Sequence, residues 1–316
     1  MAEVITLGEP LVVWIPEQTG DFTCVNAFTK GIAGAELNVA VGVSRLGHTI
    51  SYVSRLGDDV FGQYILDEMN RQGIGISHIQ KDPDYLTGSY FKTKVLTGDP
   101  KVSYMRKNSA ASHLGPEDLE TVDFKNAKIL HLTGISAALS DSCIAAEKLA
   151  IDKAGKNHLT VTFDPNIRPS LWKDEQTMIR TLNELAFSCD IVMPGIAEGE
   201  KLTGKNNAED IAMFYLEQGV KAVIVKAGAK GAYLRTAERK AFIEGFKVDK
   251  VVDTVGAGDA FATGVITGLV EGMTLEEAVR RGNAMGAIAV TTIGDNDAMP
   301  DKNTLESFMN RRANRI

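Results

Sequence analysis

The sequence predicts an α/β fold, a doubly wound and mostly parallel sheet with helices on both faces and a small β-sheet lid. Two observations carry that reading. Short β-branched runs alternate with amphipathic helical stretches along most of the chain, the pattern of strands wrapped by crossover helices. Two segments, about 10–32 and 87–106, break the alternation with strand-like runs separated only by turn residues. Having no helix between their strands, they are placed outside the main sheet, over its carboxyl edge, where open α/β sheets bind ligands. The expectation is one domain, 1–316, with the lid as two insertions.

Taken in order, Met1 to Leu11 reads as a buried first strand. It carries Glu9 and Pro10 and lacks the basic start and long apolar run of a secretion signal. Ile129 to Leu132 is a strand before a helix over about Asp141 to Ala154, and Leu159 to Phe163 is a strand stopped by Asp164-Pro165. Ile191 to Met193 and Ala222 to Lys226 are further strands. Ala260 to Val270 sets Phe261, Val265, Ile266 and Leu269 on one helical face and stops at Gly272. Thr274 and Glu277 then form a capping box for a helix that carries Asn283 and ends near Gly294.

Composition excludes several classes. Hydrophobic residues make up 44% and charged residues 24%, ordinary for a globular chain. A net charge of −7 gives no basic field for a nucleic-acid backbone, and Arg311, Arg312 and Arg315 read as a solvated tail. The three cysteines, Cys24, Cys143 and Cys189, have no CxxC spacing, so neither a disulfide framework nor a zinc site is expected and a reducing cytoplasm fits. Every hydrophobic run is cut by a charge or glycines, so no membrane insertion is expected. His48, His78, His113, His131 and His158 show no metal spacing.

The chemistry concentrates at Asp253-Thr254-Val255-Gly256-Ala257-Gly258-Asp259-Ala260-Phe261, which is expected to run from a strand end through two glycines into the apolar helix. Amides without intrahelical partners at that helix start can hold phosphoryl oxygens, with the positive end of the helix dipole behind them. Asp259 beside them is placed to accept a proton from an attacking hydroxyl, with Gly256, Ala257 and Gly258 as the anion hole. An aspartate near a helix start also serves as a plain cap, and spacing alone leaves that alternative open.

This string resembles the second motif of the PfkB, or ribokinase-like, family of carbohydrate kinases, Asp-Thr-x-Gly-Ala-Gly-Asp-x-Phe, without a departure. The family's first, glycine-rich motif is echoed by Gly31-Ile32-Ala33-Gly34-Ala35-Glu36-Leu37-Asn38-Val39-Ala40, then by Arg45-Leu46-Gly47 and by Leu56-Gly57-Asp58-Asp59 with Phe61-Gly62. Within the family the chain looks most like the 2-keto-3-deoxygluconate kinases. Gly34, Tyr90, Tyr104, Arg106 and Arg168 fall where those enzymes contact substrate, and Asp164-Pro165-Asn166-Ile167-Arg168 matches their strand-end string. Paired arginines beside phenols suit a ligand bearing a carboxylate and hydroxyls. On spacing alone, the tyrosines also fit lid packing, and the arginines fit solvated or salt-bridged positions.

The resemblance further implies nucleotide binding by Lys226-Ala227-Gly228-Ala229-Lys230-Gly231, with Lys226, Gly228 and Gly231 as contacts, joined by Asn166, Gly256, Gly258 and Asn283. The same turn reads equally as a plain hairpin before a strand near Ala232. Where the family has Asn-x-x-Glu for magnesium, this chain has Gly195-Ile196-Ala197-Glu198, so Glu198 is expected to act through water without the asparagine. A monovalent cation near Asp253 is a further possible site. Gly199 to Lys205 imitates a P-loop, but Asn206 follows and the segment reads as helix then loop.

The implied activity is ATP-dependent, magnesium-assisted phosphorylation of the terminal hydroxyl of a sugar acid, 2-keto-3-deoxygluconate to its 6-phosphate. A neutral-sugar kinase acting on fructose or ribose and a catalytically silent sugar sensor are the alternatives. Pairing of lid strands across a two-fold axis is expected to give a homo-oligomer.

Overall fold

Strand residues of the main sheet alternate between two apolar layers, which is why that sheet has helices on both faces. Val4, Ile129 and Ile224 join one buried cluster, while Ile5, Leu130, Val223 and Val225 join the other. The computed structural model describes residues 2–94, 101–292, 294, 296, 297 and 299–313, and the statements below concern these. The chain begins with β1 (Val4–Leu7), crosses to the lid strands β2 (Leu11–Pro16) and β3 (Phe28–Ala33), and returns through α1 (Ala35–Arg45) to β4 (Ile50–Gly57). α2 (Val60–Arg71), β5 (Gly75–Asp82) and the second lid pair, β6 (Ser89–Lys92) and β7 (Val102–Met105), follow. The centre comprises β8 (Ile129–Thr133), α3 (Gly134–Ala137), α4 (Asp141–Lys156), β9 (Thr160–Asp164), α5 (Glu175–Phe187), β10 (Ile191–Val192), α6 (Ile196–Thr203), α7 (Ala208–Leu216) and β11 (Ala222–Lys226). The end comprises β12 (Gly231–Thr236), β13 (Lys240–Glu244), α8 (Ala257–Val270), α9 (Leu275–Ala289) and α10 (Lys302–Ala313).

The large sheet has the order β13-β12-β11-β10-β9-β8-β1-β4-β5. It is parallel from β5 to β11, and β12 and β13 close that end antiparallel. α1, α2, α8, α9 and α10 cover one face and α4 to α7 the other. The lid is a separate sheet, β3-β2-β6-β7, in which two antiparallel hairpins are joined by a parallel β2–β6 pairing. Both insertions expected at about 10–32 and 87–106 therefore meet in one sheet, although residues 95–100 of the second lie outside the described residues.

Several boundaries depart from the sequence reading. The first strand ends at Leu7, and Leu11 already belongs to the lid. α8 starts at Ala257 rather than Ala260, because Gly256 adopts φ 77, a left-handed geometry that glycine takes without a Cβ penalty, and caps the helix there. α9 stops at Ala289 rather than near Gly294, because the Val290 carbonyl is taken by the amides of Val252 and Asp253 at 2.7 and 3.4 Å. Its start matches the capping box: Glu277 Oε2 accepts from the Thr274 amide at 2.9 Å and Thr274 Oγ1 from the Glu277 amide at 3.3 Å. α8 is buried on nearly every side, and Leu269, expected on the buried face, is only half-buried. The P-loop imitation is α6 ending at a left-handed Gly204, helix then loop as read. The side chains of Arg311, Arg312 and Arg315 lie outside the described residues.

Cys24, Cys143 and Cys189 are free, and no described helix is long and apolar enough to cross a membrane. Buried His131 hydrogen-bonds Thr162 Oγ1 at 2.9 Å, and burial pushes its imidazole down to about 3, so it is neutral. No group of three or more His, Cys, Asp or Glu positioned for a metal occurs among the described residues.

Candidate active site

Two cavities meet at the first turn of α8. The larger, about 560 Å³, lies under the lid and is lined by Gly34, Asn38, Tyr90, Lys92, Tyr104, Arg106, Asn166, Arg168, Gly256 and Asp259, among others. The second, about 330 Å³, lies between the β11–β12 turn and the α8–α9 pair, with Lys226, Gly228, Gly231, Phe246, Val251, Phe261, Asn283 and Val290 among its walls. Ala257 and Gly258 face this second cavity. The residues of 256–259 are thus shared between two compartments, which is what transfer of a group from one bound molecule to another requires.

At that turn the Ala257 amide bonds the Thr254 carbonyl at 3.3 Å, and the Ala260 amide bonds the Gly256 carbonyl at 2.8 Å. The amides of Gly258 and Asp259, between them, belong to the first turn, whose donors lack intrahelical acceptors and lie at the positive end of the helix. A Cβ placed at Gly258 would lie 3.8 Å from Lys226 Nζ, so a cation stands beside these amides.

Asp259 is held from two sides. Asn38 Nδ2 donates to its Oδ2 at 2.7 Å and Asn166 Nδ2 to its Oδ1 at 3.4 Å. Burial pushes its carboxyl up to about 7, with Asp164 adding to the rise, against the Asn38 hydrogen bond and the Arg168 and Lys226 charges. The side chain still reaches the open cavity, so water moderates that rise until a ligand fills the space. A carboxyl near neutrality, beside a cavity that accommodates a hydroxyl, is suited to general-base work.

Asp164, at the end of β9, pairs with Lys226, at the end of β11, at 2.5 Å. Burial raises the Asp164 carboxyl, opposed by Lys226. Burial works against the Lys226 charge, but Asp164 and Glu198 outweigh it, so the lysine stays protonated. Glu198 spends both oxygens on backbone: Oε2 accepts from Gly195 at 2.7 Å and Oε1 from Ile167 at 3.0 Å. It therefore caps α6 and fixes the β9 loop.

The structure brings most sequence-predicted residues together and regroups some. Gly34, Tyr90, Tyr104, Arg106 and Arg168 share the larger cavity. Tyr90 and Tyr104 pair across β6 and β7 with ring centroids 5.5 Å apart, and Arg168 is exposed at the rim. Arg106, read as a solvated strand residue on spacing alone, is only 5% exposed and ion-paired to Glu9. Asn166 lines the larger cavity and touches Asp259. Lys226, Gly228, Gly231 and Asn283 line the second cavity together, Asn283 donating to the Ile243 and Glu244 carbonyls at 3.0 and 3.2 Å. The turn is also a hairpin, since β11 and β12 pair antiparallel, with β12 beginning at Gly231 rather than Ala232. Sequence reasoning missed Asn38, Asp164 and Lys92 as site residues and Glu9 as the partner of Arg106. Asn38 had a signal, lying one helical turn beyond Gly34 on the same face.

The model of the pfkB family of carbohydrate kinases matches residues 1–302. A 2-dehydro-3-deoxygluconokinase of Bacillus subtilis (strain 168) is 44% identical over 97% of this chain and 95% of its own length. Another, from Thermoproteus tenax, is 33% identical over 98% and 94%. A solved structure described as a putative ribokinase II from E. coli in complex with ATP and magnesium superposes with a TM-score of 0.89 at 31% identity, covering 98% of this chain and all of that one.

Proposed function

Because the chain belongs to the pfkB family of carbohydrate kinases, we propose that it transfers the γ-phosphoryl group of ATP to the terminal hydroxyl of a sugar acid, converting 2-keto-3-deoxygluconate to its 6-phosphate. The observation that carries this reading is Asp259, a carboxyl raised to about 7 on the turn that divides the two cavities. The sugar acid occupies the larger cavity and the nucleotide the smaller. The substrate hydroxyl gives its proton to Asp259 as its oxygen bonds the γ-phosphorus. The bond from that phosphorus to the bridging oxygen breaks, and ADP leaves. Charge building on the transferred group meets the amides of Gly258 and Asp259 and the Lys226 ammonium.

The donor set fits magnesium held mainly by phosphate and water: no three-ligand carboxylate cluster occurs among the described residues, and Glu198 is engaged with backbone but retains acceptor capacity for a bridging water. When bound, the metal neutralises phosphate charge. This reading also keeps a monovalent cation beside Asp253, whose Oδ1 accepts from Val255 at 3.0 Å and leaves its other oxygen available.

An ADP-release assay over sugars and sugar acids tests the reading. Preference for the 2-keto-3-deoxy sugar acid is expected. Preference for fructose or ribose would make this a neutral-sugar kinase, and ligand-induced thermal stabilisation without ADP release would make it a sensor. Arg168→Ala is expected to raise KM for the acid about tenfold or more while leaving neutral-sugar turnover little changed, as loss of a charge-assisted hydrogen bond predicts.

The same proposal includes a homo-oligomer through the lid. β7 is an outer strand of that sheet, with Val102 and Met105 42% and 53% exposed, a surface that a second copy's edge would cover. Light scattering is expected to give the mass of a dimer or larger assembly, and a monomer at micromolar concentration would count against it.

A further inference from the structure

We propose that Glu9 is a positioning residue for acid recognition, holding the Arg106 guanidinium on the wall of the larger cavity. The inference rests on the reading of that cavity as a sugar-acid site. Glu9 lies between Leu7, the last residue of β1, and Leu11, the first of β2, at the point where the chain leaves the main sheet for the lid. Arg106 directly follows β7, where the chain returns. The two are 2% and 5% exposed, and Glu9 Oε2 meets Arg106 Nη2 in an ion pair. Ser109, just beyond, donates to Glu9 Oε1 at 2.5 Å and fixes the other half of the carboxylate.

The surroundings pack closely around Glu9. A Cβ at Gly88 would stand 2.5 Å from Glu9 Oε1 and 2.6 Å from Leu11 Cδ2. One at Gly34, whose φ is already +133, would stand 2.5 Å from the Glu9 carbonyl oxygen. Two bare glycines from different parts of the chain thus close around Glu9.

Arg106 lines the cavity and Glu9 does not, so the carboxylate holds the guanidinium from behind and the positive end of the pair is presented to a ligand. The Arg106 guanidinium also lies 5.4 Å from the centre of the Tyr104 ring, a second restraint from the lid. The pair engages one terminal nitrogen of the guanidinium, which carries five donors in all, so it does not exhaust the donors of the arginine. A guanidinium fixed in this way binds a carboxylate without first losing its own rotamer freedom. Glu9 therefore contributes to KM for the acid through Arg106, and not through any contact of its own.

The test is a kinetic cycle in the full-length protein with Glu9→Gln, Arg106→Ala and the double variant, with Glu9→Asp as the conservative control. Glu9→Gln is expected to raise KM for the sugar acid about tenfold, the scale of one hydrogen bond to a charged group, with KM for ATP and kcat within about twofold. The double variant is expected to be no worse than Arg106→Ala alone, because both changes act on one interaction, and Glu9→Asp to recover part of the loss. If Arg106→Ala raises KM but Glu9→Gln does not, or if the two effects multiply, the positioning role is overturned while the sugar-acid site stands. If Arg106→Ala itself leaves KM unchanged, the sugar-acid reading of the cavity fails and the inference fails with it. Should Glu9→Gln not fold, Ser109→Ala replaces it: a rise of about threefold in the same KM is expected from loss of a neutral donor, and no rise overturns the proposal.

Discussion

Asp259→Asn is expected to lower kcat about 10³-fold, within the range that general-base catalysis contributes, while KM for ATP changes little. In the wild type, kcat/KM is expected to fall about tenfold per unit below pH 7, because the base must be ionised and its carboxyl is raised to about 7. The residual activity of the variant should not show that limb. Stability moves the opposite way. A carboxyl with a raised folded-state pKa contributes stability below its unfolded value, and that contribution is lost as pH rises through the folded value. Asp259→Asn should therefore melt at a higher temperature than wild type at pH 8 and at nearly the same temperature at pH 4. Full turnover in a folded variant would remove Asp259 from the mechanism.

The second large effect is expected at Lys226→Met, which removes the cation from a buried pair. Asp164 is 3% exposed, and loss of its partner at 2.5 Å is expected to cost about 3 kcal/mol at neutral pH, the scale for breaking a buried ion pair. The Asp164 carboxyl is already raised by burial, and Lys226 opposes that rise, so removing the lysine lifts it further. Its contribution is intact at low pH and lost as pH rises through the folded value, so the variant should lose more stability at pH 8 than at pH 5. KM for ATP should rise as well, because Lys226 lines the second cavity beside Gly258, where the nucleotide is proposed to bind. Thermal melts at the two pH values, with ATP titrations, check both parts. Equal losses at both pH values would show that the lysine acts by packing.

The sequence made legible what is encoded locally. The Thr274–Glu277 cap and the strand end at Asp164-Pro165 each depend on neighbours within a few positions, and each appears where expected, whereas the string at 253–261 enters α8 from a loop and not from a strand end, the last strand, β13, having closed at Glu244. The helix start at Ala257 was read late because a left-handed cap at Gly256 leaves no polar N-cap residue to find. The end of α9 was misplaced because a tertiary pairing of Val290 with Val252 and Asp253 settles it. Partner identities in the site were out of reach for the same reason. Asn38 and Asp259 are 221 positions apart and Ser109 and Glu9 are 100 apart, and nothing in local spacing joins such residues. Arg106 on spacing alone reads as solvated because an exposed arginine and one paired with a distant buried acid look alike in a string of letters.

The walls of the two cavities differ in how far apart their residues lie along the chain. Every wall of the second cavity falls between residues 226 and 290, whereas the cavity beneath the lid draws on residues from Leu11 to Asp259. On the proposed assignment the phosphoryl-donor compartment is drawn from one continuous stretch, while the acceptor compartment is assembled from distant pieces of the chain. On that assignment, substitutions in the lid strands would reshape the pocket for the alcohol without touching a named wall of the donor cavity.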